Sequence, residues 1–202
     1  MSAETRPARI GSLANLLGVA RILATPVVIG LMLIGSPGFG IVAFVLFVVA
    51  AATDFLDGWI ARTRGEVSPL GVFMDLTADK VLVGGVLVAM VDVDLLPTWI
   101  VATIIVRELV VAGVRQMAAS EDVVLAARRL GKAKTLTTLI GMAILLLAHD
   151  AATGGPLEAT GLGLVLRVVG FWVMVLATAL TVASGWDYLR GALPLLNGRR
   201  SD

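Results

Sequence analysis

The chain of 202 residues contains no cysteine, which excludes disulfides, thiolate metal ligands and cysteine nucleophiles in one step. It contains a single histidine, His149, so a cluster of metal ligands would have to be built from oxygen. Charge is scarce as well: 15% of the residues are charged, 16 basic against 15 acidic. That near-neutral total hides a strong segregation along the chain, so where the charges fall says more than their sum, and no nucleic-acid partner is expected. No small-residue cleavage pattern follows the polar, Arg-bearing stretch 1–12, which reads as a cytoplasmic lead-in to a retained span. No internal repeat suggests a transporter built from inverted halves.

What the sequence has in abundance is apolar surface. Hydrophobic side chains make up 58% and the mean hydropathy is +0.95, too apolar for a soluble domain. The length accommodates about six spans of roughly 20 residues each. The expected fold is all-α: one polytopic membrane domain over 1–202 with six transmembrane helices, at about 13–34, 41–62, 69–90, 98–117, 133–149 and 163–189. Arg6, Arg9, Arg62, Arg64, Arg128, Arg129, Lys132, Lys134, Arg190, Arg199 and Arg200 fall at alternate connections, and 35–40, 92–97 and 149–163 carry no lysine or arginine. By the positive-inside rule both termini are cytoplasmic. Trp99, Trp172 and Trp186 suit interfacial anchors, and Gly84-Gly85 suits a helix-packing surface.

Against this apolar background stand four acids, Asp54, Asp57, Asp75 and Asp79, gathered at the cytoplasmic ends of the second and third spans. Charge inside a membrane segment is costly, so its retention points to function. Residues three or four apart lie within about 60° of each other around a helix, so each pair shares a face. The short link between the two spans makes them expected antiparallel neighbours with facing acidic ridges. Four carboxylates at close range raise one another's pKa unless cations intervene. Oxygen-only ligation suits Mg2+ or Mn2+, and two such ions can be shared among four aspartates. Gly58 removes a side chain beside the acids, Arg62 offers a planar cation to phosphate oxygens, and Gly71 serves close packing or ligand access.

The spacing Asp54-x-x-Asp57-Gly58-x-x-Ala61-Arg62, eight residues, Gly71, three residues, Asp75, three residues, Asp79 resembles the full signature of the CDP-alcohol phosphotransferase family. Asn15-Leu16-Leu17 with Arg21 is similar to that family's first-helix entry. Gly18 replaces a common threonine there, and Ser68 stands where many members have threonine. Ala78-Asp79-Lys80, Arg107-Glu108-Leu109 and Gly131-Lys132-x-Lys134-Thr135 resemble members whose acceptor is glycerol 3-phosphate.

The resemblance implies transfer of a phosphatidyl group from CDP-diacylglycerol to glycerol 3-phosphate, releasing CMP. It implies two Mg2+ ions, with Mn2+ as an alternative, held by Asp54, Asp57, Asp75 and Asp79, and Asp79 as the general base. Asn15, Gly58, Arg62 and Ser68 would bind CDP-diacylglycerol. Arg107, Arg115, Lys132 and Lys134 are candidates for the acceptor's phosphate. A homodimer in the inner cell membrane, among membrane lipids and with its active site facing the cytoplasm, is also implied. Alternatives are a same-family enzyme with inositol phosphate or a phospholipid as acceptor, and a divalent-metal transporter. A transporter would spread its acids through the membrane depth, whereas these gather at one end. Lys132 and Lys134 could equally anchor to anionic headgroups, and Arg64 reads as a topology signal. Glu108 reads as an ion-pair partner of Arg107 or Lys134, and His149 as solvated or capping at the outer face.

Overall fold

The structure is a computed structural model that describes the backbone of residues 13–64, 69–120 and 129–196, and side chains within 16–53, 77–119 and 130–193. The described residues form six long helices and no strand. They are α1 (Leu13–Ile34), α2 (Phe39–Arg64), α3 (Pro69–Asp92), α4 (Thr98–Ser120), α5 (Arg129–Ala152) and α6 (Gly163–Leu196), with a short 3-10 helix, Glu158–Thr160, before the last. Pro69 opens α3, where its missing N–H belongs to a donor that has no intrahelical partner in any case. Gly35 closes α1 in the left-handed region (φ 60°), its N–H bonded to the Leu31 carbonyl at 3.3 Å.

The outside of the bundle is apolar nearly all round. Leu23, Val27, Val49, Val88, Trp99, Leu136, Leu164 and Trp172 are all more than half exposed. Apolar exposure on every helix face is what lipid, and not water, solvates, and the chain is a membrane protein. Among the described residues, Leu16–Ile34, Leu130–Ala152 and Gly163–Leu193 are long and apolar enough to cross a membrane unaided. α3 and α4 are interrupted by Asp79 and Lys80, and by Arg107, Glu108 and Arg115. Charge is thus concentrated on the helices that build the site.

The core is a column of fully buried side chains, among them Met32, Phe47, Leu82, Met90, Ile104, Leu145 and Met174, drawn from all six helices. α1 packs broadly against both α2 and α3. Among the described residues α2 and α3 touch only marginally, and the side chains of Asp54, Asp57 and Asp75, expected to face one another across the short link, lie outside the described residues. A Cβ on Gly85 would lie 3.1 Å from Thr25 Cγ2 and 3.2 Å from Ile29 Cδ1, so the glycine lets α1 and α3 seat together. α5 and α6 pair extensively in the same way, Gly141 against Met174 and Gly170 against Leu145.

The end of the molecule where α5 finishes is organised by a residue the sequence had assigned to a loop. Asp150 lies within α5, fully buried, and its carboxylate accepts from the Ile41 N–H (3.2 Å) and the Leu157 N–H (3.2 Å). It therefore caps the start of α2 from a different helix and ties down the loop after α5. Gly40 makes this possible, since a Cβ there would fall 2.5 Å from the Asp150 Cα. His149 beside it is buried, not solvated: its Nε2 is 3.0 Å from the Met32 carbonyl in the last turn of α1. The capping half of its expected role holds, because a helix end buried in apolar surroundings needs a polar partner.

Candidate active site

Asp79 and Lys80 lie in the first half of α3, one turn before Gly84. Glu108 sits one turn after Ile104 on α4, and Lys134 one turn before Thr138 on α5. These spacings put each set on one helix face. The three faces enclose a cavity of about 110 Å3, to which Asp79, Lys80, Glu108, Lys134 and Thr138 contribute the polar part of the wall. Val83, Leu87, Ile104, Ile105 and Leu139 close it with apolar surface. A Cβ on Gly84 would meet nothing within 4 Å, so this glycine opens the wall while its neighbour Gly85 packs on α1.

Two of the cavity's charges, Glu108 and Lys134, belong to a chain of polar contacts that runs from α5 through α4 to α6. Lys134 Nζ donates to Glu108 Oε1 at 2.5 Å, Arg107 Nη1 donates to the same oxygen at 2.9 Å, and Arg107 Nη2 donates to Ser184 Oγ on α6 at 3.0 Å. Both ion-pair partners expected of Glu108 are therefore present together. The trio holds two cations for one anion and keeps a positive surplus. Lys134 is only 6% exposed, and the Arg107 Nε is buried without a hydrogen-bond partner. The cavity wall itself carries two acids, Asp79 and Glu108, and two lysines, Lys80 and Lys134, and Arg107 adds a positive charge behind Glu108, so a cation is at hand for an anionic ligand.

Of the four cations expected at the acceptor phosphate, Lys134 lines the cavity and Arg107 joins it through Glu108. Arg115 lies outside it, exposed, with its Nε donating to the Tyr188 hydroxyl at 3.3 Å. Lys132 is exposed and is not part of the cavity wall. Two residues apart on a helix, Lys132 and Lys134 point to different sides. Asp54, Asp57, Gly58 and Arg62 fall on the helical backbone of α2, Gly71 and Asp75 on that of α3, and Asn15 on that of α1. Their side chains, and Ser68 altogether, lie outside the described residues. Ser184 and Tyr188, the α6 partners of Arg107 and Arg115, were not found from sequence, and at separations of 77 and 73 residues no local pattern links them.

Asp79 is thus an acid placed beside two lysines in a small cavity of a membrane-embedded all-α protein, on the helix that also carries Asp75. These features define an integral membrane protein with an acid-bearing polar site between its helices. The family model for CDP-alcohol phosphatidyltransferase matches residues 11–183, and the chain belongs to this family. The chain is 35% identical over 189 residues to the CDP-diacylglycerol--glycerol-3-phosphate 3-phosphatidyltransferase of Bacillus subtilis, covering 88% of this chain and 93% of that one. It is 34% identical to the enzyme of that name from Rickettsia bellii, over 89% and 94% of the two chains. It is 33% identical to the probable phosphatidylglycerophosphate synthase of Mycobacterium tuberculosis, over 96% and 87%.

Proposed function

We propose that this phosphatidyltransferase takes CDP-diacylglycerol as donor and glycerol 3-phosphate as acceptor and forms phosphatidylglycerophosphate and CMP. The observation that carries the acceptor assignment is the cavity where Asp79 meets Lys134. A small alcohol that bears a phosphate needs one group to take its proton and a cation to hold its charge, and Asp79 and Lys134 line the same small cavity. The relatives' names point to the same acceptor.

The acceptor's phosphate is held by Lys134, with Arg107 reinforcing the positive surplus through Glu108. Asp79 accepts the proton of the acceptor hydroxyl. The freed oxygen attacks the phosphorus that carries the diacylglycerol, the bond to the bridging oxygen breaks, and CMP leaves. Asp54, Asp57, Asp75 and Asp79 form an all-oxygen donor set on two helices, with no cysteine in the chain, and this chemistry fits Mg2+ or Mn2+. Two such ions, when bound, neutralise the donor's diphosphate. Asn15, Gly58, Arg62 and Ser68 contact the nucleotide and diphosphate. The apolar cavity walls exclude water, which would otherwise compete with the acceptor hydroxyl.

In this reading the chain is a single domain of six spans in the inner membrane, with both termini and the active site on the cytoplasmic side, and it works as a homodimer. The segregation of lysine and arginine to alternate connections supports the orientation. The test is CMP release by purified protein given CDP-diacylglycerol, Mg2+ and one acceptor at a time, with and without EDTA. Release with glycerol 3-phosphate and its loss on chelation are expected. Release with inositol phosphate alone, or metal uptake by liposomes without any lipid substrate, would overturn the assignment.

A further inference from the structure

Lys80 stands eleven residues after Pro69, about 16 Å along α3 and close to the middle of this 24-residue helix. A lysine at such a position in a membrane protein is costly, because only near a helix end can its stem carry the charge out to the interface. Its face of the helix shows where the charge goes. Lys80, Val83, Gly84 and Leu87 follow one another at helical spacing and all line the cavity, whereas Val81 and Val88, 40% and 56% exposed, mark the lipid face. Lys80 is half-buried and belongs to the cavity wall.

The other lysine of the wall is already engaged. Lys134 donates to Glu108 at 2.5 Å, so much of its charge is met within the protein. Lys80, by contrast, has neither a hydrogen bond nor an ion pair among the described residues. A cation without a partner beside largely apolar surface keeps its full attraction for an anion. Consecutive residues on a helix diverge by about 100°, so Asp79 and Lys80, both on the wall, present an acid and a cation to two different parts of one ligand.

We propose that Lys80 is a second cation for the phosphate of the acceptor, reaching it from α3 while Lys134 reaches it from α5, and that it selects a phosphorylated alcohol. The proposal rests on glycerol 3-phosphate as the acceptor. A phosphate monoester carries close to two negative charges at neutral pH, more than Lys134 can match while Glu108 holds it. Lys80 fixes the phosphate end of the acceptor, and the neighbouring Asp79 takes the proton of the hydroxyl at the other. The lysine is kept for its ligand and not for the fold, so its removal relieves the protein of an unpaired charge.

The test compares Lys80→Gln, Lys80→Met and Lys80→Arg with the wild type, by CMP release with both substrates varied and by thermal unfolding in detergent. Lys80→Gln and Lys80→Met should raise the KM for glycerol 3-phosphate about 10–100-fold, the loss of one charged hydrogen bond, and leave the KM for CDP-diacylglycerol unchanged. Lys80→Arg, which keeps the charge, should recover most of that loss. Without substrate, the Tm of Lys80→Met should equal or exceed that of the wild type. Inorganic phosphate should raise the wild-type Tm above its value in chloride of equal ionic strength, and should do so far less in Lys80→Gln. This last arm needs no turnover, so it decides the role of Lys80 even if CMP release identifies a different phosphorylated acceptor. An acceptor KM or a phosphate response that the variants leave unchanged would overturn the proposal. So would a rise in the KM for CDP-diacylglycerol in place of the acceptor's, which would assign Lys80 to the donor, or a Lys80→Met protein that unfolds early or fails to fold, which would make the lysine structural.

Discussion

Asp150→Ala removes the one carboxylate that joins α2, α5 and the following loop at a single buried point. The side chain is fully buried, and it accepts two backbone N–H bonds at 3.2 Å. A hydrogen bond to a charged group contributes about 1.5–3 kcal/mol, and the length of these two places them at the low end, about 3 kcal/mol together. The cavity left by the carboxylate adds under about 1 kcal/mol. A loss of about 4 kcal/mol corresponds to a fall in Tm of about 8–16 °C for a chain of this size. Asp150→Asn keeps one acceptor and turns an amide N–H2 toward a backbone donor, so about half the loss is expected. The measurement is thermal unfolding in detergent, paired with CMP release at a temperature where both variants remain folded. Asp150 lies 16 residues from Lys134 along α5, about 24 Å, so acceptor KM and kcat should match the wild type. A Tm within 2 °C of wild type, or a catalytic defect without a stability defect, would refute the clamp.

Other perturbations separate the parts of the site. Asp79→Asn should lower turnover by about 10²–10⁴-fold while metal binding, measured by calorimetry, largely persists; wild-type turnover would refute its role as base. Lys134→Gln should raise the KM for glycerol 3-phosphate about 10–100-fold and leave the affinity for CDP-diacylglycerol unchanged, which steady-state kinetics in both substrates will decide. Gly40→Ala places a Cβ 2.5 Å from the Asp150 backbone and should cost about 1–3 kcal/mol, read as a lower Tm with unchanged acceptor KM.

The helices were legible in the sequence because their apolar runs are long and their stops are chemical. Gly35 and Pro69 mark boundaries that hold to the residue in the structure. The family was legible as well, since the acids, Gly58, Arg62 and Gly71 lie within one continuous stretch of α2 and α3 and need no tertiary information to be recognised. The acceptor side was less legible. Four cations from α4 and α5 were all candidates in sequence, and the structure distinguishes them by neighbours: Lys134 faces the cavity, Arg107 is held by Glu108 and Ser184, Arg115 by Tyr188, and Lys132 is exposed.

Periodicity, hydropathy and a contiguous motif are properties of the chain in one dimension, and they determined that this protein is an all-α membrane protein of the CDP-alcohol phosphatidyltransferase family. Which helices touch depends on where small residues allow close approach, and that is decided only when faces meet. Gly85 against Thr25 draws α1 onto α3, and Gly40 admits Asp150 to the start of α2. The tertiary structure therefore decided that α2 and α3 each lean on α1, that an apparent loop acid is a buried clamp, and that Asp79 and Lys134, 55 residues apart, share one cavity. No pairwise spacing in the sequence contains that information, because the contacts join positions related only through the packing of whole helices.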